Sequence, residues 1–241
     1  RREEPNERRA GTRIVLTRRF DPDELEEARR VLRLCIAPKG TSLRVDGQPV
    51  RRPDGVLTLS SCELETVELV GGVERAVTGQ ASVALYAPRP GQLPHLFEMG
   101  VPLQAWDVPW HVDVHQRVPL RGDRDGVPER FELRLKALLL ESMIHRYLET
   151  KDLRADWVHD VIGRFPVKTS VLDAYVSRAY PRGAVLGGTR RANDRARQLG
   201  AHVIDAASVS HGAYLALGRV VETADDYVRR RAAEFGGAEV E

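Results

Sequence analysis

Two stretches, "GVLTLSSCELETVELV" and "QASVALYAP", constrain this chain more than any others, because apolar residues alternate with polar ones along them. Successive side chains of a strand point to opposite faces, so this period of two predicts strands with one face on a core and one in water. Just before them, "TSLRVDGQPV" reads as a strand, an Asp46-Gly47 turn and the start of a return strand. Together they predict an antiparallel sheet, which must be covered on its apolar face.

Helices to cover it are close by. "FDPDELEEARRVLRLCIAPKG" places Asp21 as N-cap, Pro22 at the first helical position, Glu24 to complete a capping box, and Pro38 and Gly40 beyond the end. Leu25, Ala28, Val31, Leu32, Cys35 and Ile36 form its apolar stripe. After Pro88, Pro90 and Pro94 break the pattern, a further strand is expected from Trp110 to Val118. "PERFELRLKALLLESMIHRYLE", from Pro128, reads as a long helix with Phe131, Leu135, Leu138, Leu139 and Met143 at helical spacing. The fold class expected is α+β, with a domain over 20–150.

From Lys151 the character changes. "RADWVHDVIGRF" and "KTSVLDAYVSRAY" predict short helices; "GAVLGG" and "AHVIDA" predict strands on either side of the helix "TRRANDRARQLG". Strand, helix, strand implies a parallel pair with a right-handed crossover. "TADDYVRRRAAEF" closes a small α/β and helical C-terminal domain over 151–241.

Composition excludes little but is useful. With 37 basic and 35 acidic residues the net charge is +2, less lopsided than a dedicated duplex-binding protein. Thirty-three of the 37 are arginine, which reads first as a genome bias. No apolar run approaches the roughly 18 residues of a membrane span, and no signal segment opens the chain, so the default expectation is cytoplasmic. Cys35 and Cys62 lack metal-type spacing and read as buried free thiols. The first residue is Arg1, and "GTRIVLT" predicts a strand over Thr12 to Thr17 with no earlier partner. The expectation is a C-terminal part of a longer protein.

"WHVDVHQRVPLRGDRDGVP", Trp110 to Pro128, is the densest polar stretch. His111, Asp113 and His115 are metal-ligand types, but residues four apart on a strand lie about 13 Å from one another, against metal bonds of about 2 Å. A strand with Val112 and Val114 inward and the polar groups in water is the simpler expectation, and no metal is assigned. Arg117, Arg121 and Arg124 interleave with Asp113, Asp123 and Asp125, which oppose a phosphate field. "LGGTRRAND" puts glycines between strand and helix and could offer amides to a phosphate, but lacks G-x-G-x-x-G and the Walker lysine; an ordinary turn reads equally well. No hydrolase motif is present.

Taken in order, Gly11-Thr12 before a hydrophobic strand, Glu98-Met99-Gly100 with Pro102, Trp110-His111, Asp113-Val114, Gln116-Arg117-Val118-Pro119-Leu120 and Asp123-Arg124-Asp125 resemble the GHKL ATPase superfamily of gyrase B subunits, ninety-kilodalton heat-shock chaperones, histidine kinases and MutL. More narrowly they are similar to actinobacterial and phage ATP-binding proteins related to the phage rapid-lysis A protein. The likeness runs over 11–143. It implies that 1–19 end an ATP-binding domain and that 20–150 are a transducer domain, a sheet with helices packed on one face. In such domains a loop near the end of one strand extends a basic residue, usually lysine and often beside a glutamine, to the ATP γ-phosphate. Gln116-Arg117 matches that pair, with arginine where the superfamily has lysine; a guanidinium can clamp phosphate oxygens through two donors.

The resemblance therefore implies Arg117 as γ-phosphate contact, Gln116 as its supporting donor, Thr12 as a weaker cofactor-binding candidate, and Glu98 and Asp113 as orienting the loop. Asp123, Arg124 and Asp125 are expected to fix a turn by local ion pairs. The superfamily's Glu/Asn metal-binding helix, Asp-x-Gly-x-Gly pocket and glycine-rich lid have no counterpart here. ATP with Mg is thus expected in the full-length protein and no cofactor for this chain alone, which would not be active by itself. The implied partner is an upstream ATP-binding domain, with a homodimer possible because the superfamily commonly dimerises through it. The alternative is a non-enzymatic module that contacts DNA or a partner protein through its arginine-rich C-terminal helices.

Overall fold

The computed structural model describes residues 19, 21–122 and 126–236. Gly11, Thr12, the strand expected over Thr12 to Thr17, and the Asp123-Arg124-Asp125 turn lie outside the described residues. The architecture is α+β, built on a mixed five-stranded sheet.

Helix α1 (Pro22–Leu34) begins as its sequence dictates: Glu24 N–H donates to Asp21 Oδ1 at 2.7 Å and Asp21 N–H to Glu24 at 3.3 Å. Its apolar stripe is covered less than expected. No residue of α1 is buried, and Leu25 and Leu32 stay 38% and 48% exposed. Beyond its end, Ile36 is buried with Ala84, Tyr86 and Phe97 in a small cluster.

The short hairpin β1 (Leu43–Val45) and β2 (Gln48–Val50) turns through Asp46 and Gly47, both at positive φ. This is the conformation that Asp-Gly serves in tight hairpins. A much longer hairpin follows, β3 (Gly55–Val70) and β4 (Val73–Tyr86), reversing at Gly71-Gly72. A third pairs β5 (His95–Glu98) with β6 (Val101–Ala105) about Met99-Gly100. Strand β7 (His111–Val114) lies antiparallel to β4 and parallel to β5, giving the order β3-β4-β7-β5-β6.

Trp110 to Val118 is therefore a shorter strand than its sequence suggests, and two of its polar side chains, His111 and Asp113, are not in water, while His115 and Arg117 are exposed. His111 and Asp113 are buried along with Val112 and Val114. The reason is that both faces of β7 are covered. Val112 and Val114 join the main core with Leu64, Val83, Leu85 and Phe131, while Asp113 and His111 sit beside Ala84 and Tyr86 of the smaller cluster.

Helix α2 (Glu129–Met143) supplies Phe131, Leu135 and Leu139 to that core, and ends earlier than the apolar pattern would allow. Helices α3 (Thr150–Leu153), α4 (Asp156–Arg164) and α5 (Thr169–Ala179) follow. The same core continues through Leu148, Trp157, Leu172 and Tyr175 as far as Val221. Strands β8 (Val185–Leu186) and β9 (Val203–Ile204) are parallel, joined by α6 (Arg190–Gln198). Helices α7 (His211–Leu217) and α8 (Ala224–Gly236) complete the chain's described part. Among the described residues no helix is long and apolar enough to cross a membrane.

Candidate functional site

The loop after β7 is held at successive residues. Its base starts at the β5–β6 turn, where Gly100 N–H donates to the buried Asp113 Oδ1 at 2.8 Å and Met99 N–H to Val114 O at 2.9 Å. His115 N–H donates to Ser82 O at 2.9 Å, and its Nε2 lies 3.1 Å from Asp113 Oδ2. Val118 N–H donates to Glu98 Oε2 at 2.8 Å. Glu98 and Asp113 thus bind the loop and its base through backbone amides, and each is a carboxylate placed by the same hairpin or strand that the loop adjoins.

Between these anchors, Gln116 and Arg117 lie against the long β3–β4 hairpin. Gln116 Nε2 donates to Glu65 O at 3.2 Å, so the glutamine's amide holds the hairpin backbone. Thr66 Oγ1 donates to Arg117 O at 2.7 Å. Gly79 lies close to the glutamine: a Cβ there would stand 3.9 Å from Gln116 Oε1. The Arg117 guanidinium reaches Glu74 Oε1 at 2.9 Å, with both side chains about half exposed, 52% and 53%. Exposed pairs of this kind contribute about 0–1 kcal/mol. The backbone of Arg117 is therefore clamped while its charge can change partner at little cost.

His111, one end of the polar stretch, accepts a hydrogen bond at Nδ1 from His95 N–H at 3.1 Å. Burial pushes its pKa down to about 4 from 6.5, with the nearby positive charge of His95 and Arg89 adding to the shift. It is neutral at pH 7 and serves the core. Because the unfolded chain binds this proton first, stability is full above pH 6.5 and falls with pH towards 4. Urea denaturation across that window should show a loss of up to about 1.4 kcal/mol per pH unit from this residue, and His111→Gln should flatten the slope. An unchanged slope would mean that His111 titrates normally. Burial lowers the pKa of His159 as well, so part of the acid sensitivity remains in that variant. Among the described residues no group of three His, Cys, Asp or Glu side chains could hold a metal ion.

The glycine turn before α6 has spent its amides. Gly187 N–H donates to Ile204 O, Gly188 N–H to Asn193 Oδ1, and Thr189 N–H to Asp225 Oδ2, at 2.7 to 2.9 Å. Thr189 Oγ1 also donates to Asp225 Oδ1 at 2.8 Å. These bonds from the Thr189 backbone and hydroxyl hold the Asp225 carboxyl below the usual range. A carboxylate of α8 thus occupies the place where an external anion would sit, and the turn reads as a structural cap.

The arginines of α6 and α8 are largely paired as well. Arg197 meets Asp194 and Asp205, Arg229 meets Asp226, and Arg230 meets Glu222 and Glu234. Arg190 and Arg191 make no ion pair with a described residue, and they border a groove with Thr189, Arg195, Gln198 and Val228.

Sequence reasoning passed over Lys136. Its ammonium is buried 2.7 Å from Asp107 and 2.6 Å from Glu132, and lies 5.4 Å from the centre of the Trp106 ring. Burial opposes its charge, but the two carboxylates outweigh burial and leave its pKa raised. Its spacing of four from Glu132 was the available signal. Both cysteines are free thiols, Cys62 buried and Cys35 half-buried, and burial raises both pKa values. Comparison with protein-family models, with curated proteins and with solved structures finds no match to this chain.

Proposed function

We propose that this chain is the C-terminal transducer region of a GHKL-type ATP-binding protein, coupling ATP binding and hydrolysis in an upstream domain to conformational change. The observation that carries the reading is Arg117: a half-exposed guanidinium on a loop whose backbone is bonded on both sides, by Thr66 to its own carbonyl and by Glu98 to the next amide. A group that must meet a phosphate held elsewhere needs a fixed position and a weakly committed charge. Arg117 has both. Gln116 supports it by fixing the loop to Glu65 rather than by donating to the phosphate. ATP with Mg would be bound by the upstream domain, and this chain contributes the sensor.

The test is ATP turnover by the full-length protein. Arg117→Ala should lower it at least about tenfold, about 1.4 kcal/mol of transition-state stabilisation, with an unchanged circular dichroism spectrum. Undiminished turnover would remove the reading.

A further inference from the structure

The carboxylate that meets Arg117 comes from an unexpected place. Glu74 stands opposite Leu69, one residue pair inside the Gly71-Gly72 turn, at the outer end of the long hairpin. Strand β7 supports only the inner end of β4, from Val83 to Tyr86. Further out, the hairpin is tied to the loop after β7 through Glu65, Thr66 and Glu74. The first two of these ties hold the root of the outer half, through the Glu65 carbonyl and the Thr66 hydroxyl, and of the three only the last reaches its tip.

We infer that Glu74 is a resident substitute for the nucleotide's terminal phosphate: it holds the Arg117 guanidinium until a phosphoryl group arrives, and exchange of one anion for the other frees the hairpin tip. The inference rests on the reading of Arg117 given above. Physically the exchange is favourable in the required direction. The exposed carboxylate holds the guanidinium through one bond, from Nη2 to Oε1, whereas a phosphoryl group offers several charged oxygens to the same fork. Linkage makes the effect reciprocal, so the Glu74 carboxylate must weaken nucleotide binding by the amount that nucleotide weakens the Glu74 contact. What is released is the segment bearing Leu69, Val70 and Val73, all exposed at the turn.

The experiment uses the full-length protein with MgATP. Glu74→Gln should lower KM about threefold at unchanged kcat, as expected for removing an exposed competing ion pair. Glu74→Ala should do the same, and a thermal melt matching wild type would exclude a folding effect. In an Arg117→Ala background, Glu74→Gln should have no further effect. Hydrogen exchange in residues 67–76 should rise when MgATP is added to wild type and be already raised in Glu74→Gln. A wild-type KM in both Glu74 variants, with turnover lost in Arg117→Ala, overturns the exchange and leaves the phosphate contact standing. Normal turnover in Arg117→Ala overturns both. An effect of Glu74→Gln that persists without Arg117 also overturns the exchange, since Glu74 would then act elsewhere.

Discussion

Alanine at Gly100 should cost the chain about 2–5 kcal/mol of stability, a large part of the 5–15 kcal/mol typical of a folded domain. Two separate penalties meet at this residue. Its φ is +83°, in the left-handed region that side chains disfavour, and an added Cβ would stand 2.2 Å from the carbonyl oxygen of Ile36. That oxygen is backbone, and Ile36 is tied to the same place because its N–H donates to Gly100 O at 2.8 Å. Relief would require moving the segment after α1 away from the β5–β6 turn, or tilting Gly100 N–H off Asp113. Gly91 separates the two penalties, since its φ is +80° but nothing lies within 4 Å of its Cβ position. Gly91→Ala should therefore cost only about 1 kcal/mol, from the backbone alone. Urea denaturation of both variants measures the difference; equal losses would show that the Ile36 contact yields freely. Because Asp113 also lies at the base of the Gln116-Arg117 loop, Gly100→Ala should disturb that loop as well.

Gly212→Ala should destabilise by about 2–4 kcal/mol for a purely steric reason. A Cβ there would lie 1.9 Å from Gly163 O and 2.8 Å from Gly163 C, backbone against backbone where α7 crosses α4. No side-chain rotation can relieve that overlap, so the helices must move apart and leave unfilled space among their buried contacts. At Gly163 the nearest atom to a new Cβ is Ser210 Oγ at 2.5 Å, a side-chain atom that can turn away at the cost of the N-cap bond it accepts from Ala213 N–H, with Ala213 N next at 3.1 Å. Gly163→Ala should accordingly cost less than Gly212→Ala. Chemical denaturation that ranked them the other way would contradict the packing of this crossing.

Some of this structure was legible in the sequence because its causes are local. The Asp21 and Glu24 capping box starts α1, Asp46-Gly47 turns the first hairpin, and alternation marks β3 and β4. The β5–β6 hairpin was not legible. Met99 takes the positive φ that Asn or Asp usually supplies, and Pro94 and Pro102 disguise strands of only four and five residues. Helix α7 escaped notice because its seven residues are too few to display a helical period. The triad at Lys136 includes Asp107, twenty-nine residues away, which no local pattern announces.

By itself the sequence determined where most of the longer helices begin and which strands alternate. Those properties depend on a residue and its near neighbours, through capping, backbone preference and side-chain period. Only the tertiary structure decided what the residues face. His111 and Asp113 are buried because they share the sheet's second face with Ala84, Tyr86 and Phe97, and the segment after α1 brings Ile36 onto it. Arg117 meets Glu74 across forty-three residues because a long hairpin happens to return beside the loop. Such contacts follow from sheet order and register, which local preference does not carry, and they turn Arg117 from an exposed charge into one with a partner to lose.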